Sequence, residues 1–117
     1  MIGSTRRFSV FAFARPADLR KGFDGLFALV KNELGRDPLS GDVFLFTSRT
    51  RKRAKLLYWD GTGLCVFAKR LERGCFASLW REDGASVRLT QSELALFIEG
   101  ATLVGKVALS PPELSFK

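Results

Sequence analysis

The 117-residue sequence predicts a single α+β domain, an antiparallel β-meander of four or five strands packed by one main amphipathic helix and a short C-terminal helix. Three observations carry that expectation. Between Asp42 and Phe76, runs rich in Val, Leu, Phe, Tyr and Trp (Val43 to Phe46, Lys55 to Trp59, Leu64 to Leu71) are separated by a basic segment and by Asp60-Gly61-Thr62-Gly63, the residue types of a tight hairpin turn. Leu19, Phe23, Leu26, Phe27, Val30 and Leu34 recur at spacings of three and four, the period of a helix with one apolar face. Thr90-Gln91-Ser92-Glu93 has the form of a capping box, in which each of the two end residues accepts the other's backbone N–H, and Leu94, Phe97 and Ile98 follow up to Gly100.

Taken in order, Thr5 to Phe13 reads as a strand with Phe8, Val10 and Ala12 on one side and Ser9, Phe11 and Phe13 on the other, expected to pair with the meander. Arg15-Pro16 ends it, because proline cannot donate to a ladder. Asp18 is the expected N-cap of the main helix and Gly35 its C-terminal cap. The helix is expected to lay Phe23, Leu26, Phe27 and Val30 on the sheet and leave Arg20, Lys21, Asp24 and Lys31 toward water. Gly22 and Gly25 cost a helix about 1 kcal/mol each relative to alanine. Either they let another backbone approach, or Arg20-Lys21-Gly22 forms a loosely wound start whose N–H groups meet a phosphate.

Gly35 to Gly41 is a loop by composition, and it delivers the chain to strands that are apolar on both faces and so buried on both. The helix covers one face. The other requires the N-terminal strand, the C-terminal segment or a second protein, so either self-association as a homodimer or dependence on a partner is expected. Phe23, Leu26, Phe27, Val30, Leu45, Leu57 and Phe67 are the expected buried residues. Gly74 to Ala85, with Phe76, Leu79 and Trp80, reads as irregular, and Ser86 to Leu89 as one more short strand. The tail carries Leu103, Val104, Val107 and Leu109 before Pro111-Pro112 ends any regular element.

Size and composition narrow the class. One hydrophobic core suits this length, and no linker, repeat or low-complexity tract divides the chain. No apolar run reaches the roughly 18 residues a membrane-spanning helix needs, and the N-terminus lacks a signal-peptide core, so a cytoplasmic protein without membrane association is expected. With Cys65 and Cys75 but no histidine, the chain lacks the roughly four ligands of a structural zinc site, and no cofactor is expected. Two small buried thiols are the expected state, a bridge or redox switch the alternative. Thiol catalysis has no histidine partner, no phosphate-binding loop is present, and the twelve acidic residues are spread over caps, turns and helix faces rather than set out as a metal-binding trio. The sequence does not read as that of an enzyme.

Charge is where the chain is most distinctive. Its formal charge is +7, and between Arg49 and Arg73 eight basic residues (Arg49, Arg51, Lys52, Arg53, Lys55, Lys69, Arg70, Arg73) face only Asp60 and Glu72. Four cations within Arg49-Thr50-Arg51-Lys52-Arg53, at an expected hairpin tip, repel one another, and phosphates would relieve that repulsion. Tyr58 and Trp59 are either stacking surfaces for bases or core residues. These eight cations with Arg20 and Lys21 are the candidate nucleic-acid-binding residues, and DNA the expected partner.

The run Lys55-Leu56-Leu57-Tyr58-Trp59-Asp60-Gly61-Thr62-Gly63-Leu64-Cys65-Val66-Phe67-Ala68-Lys69-Arg70-Leu71-Glu72-Arg73-Gly74 resembles a signature of the small accessory proteins called TnpB, encoded by the second reading frame of insertion sequence 66 elements. Asp18-Leu19-Arg20-Lys21-Gly22-Phe23-Asp24-Gly25-Leu26 matches as well, as do Leu89-Thr90, Leu94-Ala95-Leu96 and Glu99-Gly100, while the N-terminus and the tail after Val104 match less well. This family is distinct from the much longer RNA-guided nuclease that shares its name. The resemblance implies a role in DNA transposition beside a separate, larger transposase and other accessory proteins, with no assigned catalytic residues. Three functions compete: a non-catalytic nucleic-acid-binding accessory factor, a protein-interaction module docking an acidic surface of the transposase, and, well behind, a nuclease.

Overall fold

The structure, a computed structural model, describes residues 7–100. Strand β1 (Val10–Phe13) leads through helix α1 (Phe23–Ala28), which runs on into a π-helical turn at Leu29–Glu33, to β2 (Val43–Thr47), β3 (Arg53–Trp59) and β4 (Leu64–Arg70). Strand β5 (Ser86–Leu89) and helix α2 (Gln91–Glu99) follow. The five strands form one sheet in the order β4-β3-β2-β1-β5, so the domain is α+β with the expected meander at its heart. Three of its ladders are antiparallel, while β1 pairs with β2 in parallel, Phe11 beside Phe44. That pair follows from the connection: a strand–helix–strand crossover returns the chain in the direction in which it left. The beginning of the expected Thr5–Phe13 strand and the apolar tail lie outside the described residues.

Val43, Phe44, Leu45 and Phe46 of β2 are all completely buried, so both faces of the sheet are covered. On one face Phe11, Phe13, Phe44, Phe46 and Leu57 lie beneath Ala17, Leu19, Leu26 and Val30, with Phe11 and Phe44 stacked at 6.0 Å between ring centroids. On the other, Val10, Ala12, Val43, Leu45, Ala54, Leu56 and Leu89 lie beneath Phe76, Ala77, Leu79, Leu94 and Phe97. Phe76 and Phe97 stack at 4.9 Å and close that face from within the chain. Each such fully buried side chain contributes about 1.5–3 kcal/mol relative to exposure.

Five expectations need correction. Helix α1 begins at Gly22, which caps it without a side-chain bond, whereas Asp18 lies in the loop before it and accepts from the backbone N–H and guanidinium of Arg20. Gly22 has open space around it, and a Cβ on Gly25 would meet the Lys21 side chain at 2.7 Å, so Gly25 makes room for that lysine stem and neither glycine admits a second backbone. Leu26 and Val30 form the sheet-facing stripe, but Phe23 is 50% exposed and Phe27 half-buried, because Ala17 and Leu19 from the preceding loop fill the space beside Leu26. Phe67 is 41% exposed, since β4 is an edge strand and lies outside the area covered by α2 and Phe76. Cys65 and Cys75 are free thiols, half-buried rather than buried, and desolvation followed by the neighbouring Asp60 carboxylate raises the Cys65 pKa.

Several local expectations hold. Asp60 Oδ1 accepts from Thr62 N, Gly63 N and Thr62 Oγ1 at 2.9–3.0 Å, which fixes the β3–β4 turn and brings its carboxyl down to about 2. Thr90 Oγ1 accepts from Glu93 N at 3.0 Å while Glu93 Oε1 accepts from Thr90 N at 2.7 Å, completing the capping box of α2. Gly35, at φ +64°, ends the π-helical turn. The segment from Gly74 to Ala85 is irregular and Ser86–Leu89 is a strand.

The two stripes of α1 should separate cleanly in unfolding experiments. Leu26→Ala empties a fully buried site and is expected to cost about 2–5 kcal/mol in urea denaturation, whereas Phe23→Ala should change stability by less than about 1 kcal/mol. Equal losses at the two positions would contradict the packing described.

Candidate nucleic-acid interface

The ten basic residues singled out from the sequence divide into a structural set and an exposed set. Arg51 belongs to the first. It occupies left-handed backbone at φ +61°, a conformation costing a non-glycine residue about 1–3 kcal/mol. Three hydrogen bonds hold it there: its N–H donates to Ser48 O at 2.9 Å, its carbonyl accepts from Phe76 N at 2.6 Å, and its Nη1 donates to Phe76 O at 2.9 Å. Lys52 continues the seam, accepting from Leu71 N at 2.8 Å and donating through Nζ to Gly74 O at 3.3 Å. The β2–β3 connection is thus clamped to the segment that carries Phe76 into the core. Lys69 donates to Ile98 O at 2.7 Å, in the last turn of α2, where a cation also suits the carbonyl end of the helix dipole.

Of the remaining cations, Arg20, Arg49, Arg53, Lys55 and Arg70 line a furrow. Its first half is a cleft of 730 Å³ between the Pro16–Arg20 loop and the β2–β3 connection, lined by Asp18, Leu19, Arg20, Ser48, Arg49, Thr50 and Arg53 among others. The loop is set there by the backbone bond from Ala17 N to Thr47 O at 2.9 Å. Its second half, of 440 Å³, runs over the ends of β3 and β4 and is lined by Leu19, Arg53, Lys55, Ala68, Lys69, Arg70 and Glu72. Leu19 and Arg53 line both halves, so the two adjoin there. Lys55 Nζ donates to the Lys21 carbonyl at 3.1 Å and ties β3 to the segment just before α1.

Electrostatics in the furrow are one-sided. Among its lining residues are six cations and two carboxylates, and each carboxylate is engaged by a neighbouring arginine, Asp18 with Arg20 at 2.9 Å and Glu72 with Arg70 at 3.3 Å. Arg20 holds the Asp18 carboxyl well below the usual carboxylate range. Arg53 and Arg70 are direct cross-strand partners on β3 and β4. Like charges placed opposite one another destabilise a sheet, and side chains of a non-hydrogen-bonded pair such as this one stand especially close. The interaction disfavours the isolated fold, and the Glu72 carboxylate beside Arg70 offsets part of it.

Arg73 and Lys21 are exposed but do not line it. Nor do the aromatics: Tyr58 and Trp59 are half-buried at the far end of β3, about 20 Å from Arg53 at roughly 3.3 Å per residue, and Tyr58 packs on the core. Ser48 and Thr50, whose hydroxyls line the first cleft, were not singled out from the sequence. Neither were Arg36 and Arg88, whose guanidinium carbons lie 3.7 Å and 5.7 Å from the Phe11 ring centroid. Among the described residues, no three Cys, Asp or Glu side chains gather within reach of one metal ion, and no helix is long and apolar enough to cross a membrane.

The division between the two sets of cations has a direct consequence for stability. Arg51→Ala removes a charged hydrogen bond and is expected to cost about 1.5–3 kcal/mol, while Arg49→Ala, at an exposed position two residues away, should stay within about 0.5 kcal/mol of the parent. Urea denaturation of the two variants checks the assignment.

The family described as IS66 Orf2 like protein matches residues 8–107. The uncharacterized protein y4jC of Sinorhizobium fredii (strain NBRC 101917 / NGR234) is 37% identical over 100 residues, covering 86% of this chain and 85% of its own. The uncharacterized protein y4hO of the same strain is 32% identical over 101 residues, covering 86% of each chain. No solved structure gives a significant match. With the match spanning β1 through α2, the chain belongs to the IS66 Orf2-like family, the accessory proteins of insertion sequence 66 elements.

Proposed function

We propose that this protein is a non-catalytic nucleic-acid-binding accessory factor for transposition of its insertion sequence, acting beside a separate transposase and holding DNA phosphates in the furrow between the Asp18–Arg20 loop and β4. The observation that carries the reading is the cross-strand opposition of Arg53 and Arg70 where the two halves of the furrow meet. The sheet tolerates this repulsion although either residue is exposed and replaceable without loss of core, and a phosphate between them turns the repulsion into attraction. Arg49 extends the same sign of charge along the first cleft, where Arg20 is paired with Asp18. Flexible guanidinium groups on a loop and a sheet rim suit contact with the backbone of DNA, which positions a protein without reading sequence.

The proposal is tested with the exposed cations alone, leaving Arg51, Lys52 and Lys69 in their structural roles. For phosphate contacts, log affinity for DNA falls linearly with log salt at about 0.9 per phosphate neutralised. The combined Arg20→Ala, Arg49→Ala, Arg53→Ala, Arg70→Ala variant is expected to flatten that slope by about 2–4 units and to leave thermal stability nearly unchanged, because exposed charges contribute little to folding. An acidic surface on the transposase offers carboxylates to the same arginines. In that case DNA binding by the parent protein is weak and indifferent to the four substitutions, while transposase binding is lost.

A further inference from the structure

We propose that the outer edge of β4 pairs with the β4 edge of a second copy, in antiparallel register about a two-fold axis at Phe67, joining two domains into one ten-stranded sheet. Among the described residues β4 ends the sheet, and its outer edge pairs with no other strand.

The hydrogen-bond parity of this edge is fixed by its inner partner. Leu71 N donates to Lys52 O at 2.8 Å and Asp60 N to Gly63 O at 3.1 Å, and both pairs share the β3–β4 register in which Leu56 lies beside Phe67. Alternation along an antiparallel ladder then points the backbone groups of Cys65, Phe67 and Lys69 at β3, and those of Leu64, Val66, Ala68 and Arg70 outward. A two-fold axis at Phe67 sets Val66 opposite Ala68 of the second copy and Leu64 opposite Arg70, so that all four outward-pointing residues meet outward-pointing partners. Shifting the axis in either direction leaves part of the strand unpaired.

Charge and exposure select the same register. The two cations of β4, Lys69 and Arg70, stand opposite Cys65 and Leu64 of the second copy, so no like charges meet, whereas an axis at either cation would place it against itself. Phe67, the large apolar side chain left 41% exposed, falls on the axis as a non-hydrogen-bonded pair, the geometry in which opposing side chains lie closest. Because the axis is perpendicular to the sheet, both furrows come to the same face. Their two Arg70 residues lie about 20 Å apart along the strands, at roughly 3.3 Å per residue.

The mass of the full-length protein in sedimentation equilibrium, and a cross-link, test the pairing. In a Cys65→Ser, Cys75→Ser background, Phe67→Cys places two thiols across the axis at about 4.5 Å between Cα atoms, within disulfide reach, and mild oxidation is expected to give a dimer on non-reducing gels. The parent protein is expected to sediment at twice 13.0 kDa, and Phe67→Lys, an exposed substitution, to weaken the dimer at least tenfold while the circular dichroism spectrum is retained. A monomeric parent, a dimer indifferent to Phe67→Lys, or a Phe67→Cys protein that does not cross-link would each overturn the proposal. A monomer would also mean that the edge is covered by another segment of this chain or left open.

Discussion

Complete burial of β2 on both faces is the constraint on which the rest of this fold depends. Four consecutive residues, Val43 to Phe46, are inaccessible to solvent, and a strand in that condition needs a neighbour on each edge and a cover on each face. β3 and β1 supply the edges. The crossover that brings β1 alongside in parallel also carries α1 onto the first face, so one connection provides both an edge and a cover. The second face is closed by Phe76 stacked on Phe97, two residues of elements that are themselves poor in regular contacts with the sheet. Clamping the β2–β3 connection to Phe76 through Arg51 is what holds that irregular segment over the core.

The same clamp explains how a basic segment serves two ends. Arg49 to Arg53 carries four cations in five residues, and the structure separates them by direction: Arg51 and Lys52 turn toward the carbonyls of the Gly74–Phe76 segment, while Arg49 and Arg53 line the furrow. Carbonyl oxygens solvate the first pair locally. The furrow keeps a net positive charge because its six cations outnumber its two carboxylates, which pair with Arg20 and Arg70. Affinity for a polyanion is thus a property of where the clamp directs each side chain, and a count of charges along the chain overstates it.

Much of the architecture was legible in the sequence, and the misreadings have identifiable causes. The meander, the Asp60 turn and the capping box of α2 rest on signals close together in sequence, and hydrogen bonds between near neighbours enforce them; β5 was legible from its own residues although its partner is β1. Phe23 and Phe67 were misplaced because periodicity assigns a residue to a face without saying how far the cover extends over it: Phe67 stands on a well-covered face but at its rim. Asp18 carried the chemistry of a cap, yet its carboxylate is bound by Arg20 two residues on, and the helix starts later at Gly22. The cationic character of the site was readable from Arg49 to Arg70. Its shape was not, because the furrow needs the Pro16–Arg20 loop beside Thr47, an apposition created by the parallel β1–β2 pairing with no local signature. The roles of Arg51 and Lys69 were hidden for the same reason, since their partners lie 25 and 29 residues away.

The central claim is that phosphates occupy the furrow between the Asp18–Arg20 loop and the ends of β3 and β4. Backbone amide NMR of the isotopically labelled protein, titrated with a short DNA duplex and with its single strands, tests it most directly. The account predicts shift changes concentrated at Asp18 to Lys21, Ser48 to Thr50, Arg53 to Lys55 and Ala68 to Arg70, with little change around Tyr58 and Trp59. Changes centred instead on Arg36, Arg88 and the Phe11 side of the sheet, or no change at low salt with either form of DNA, would contradict it.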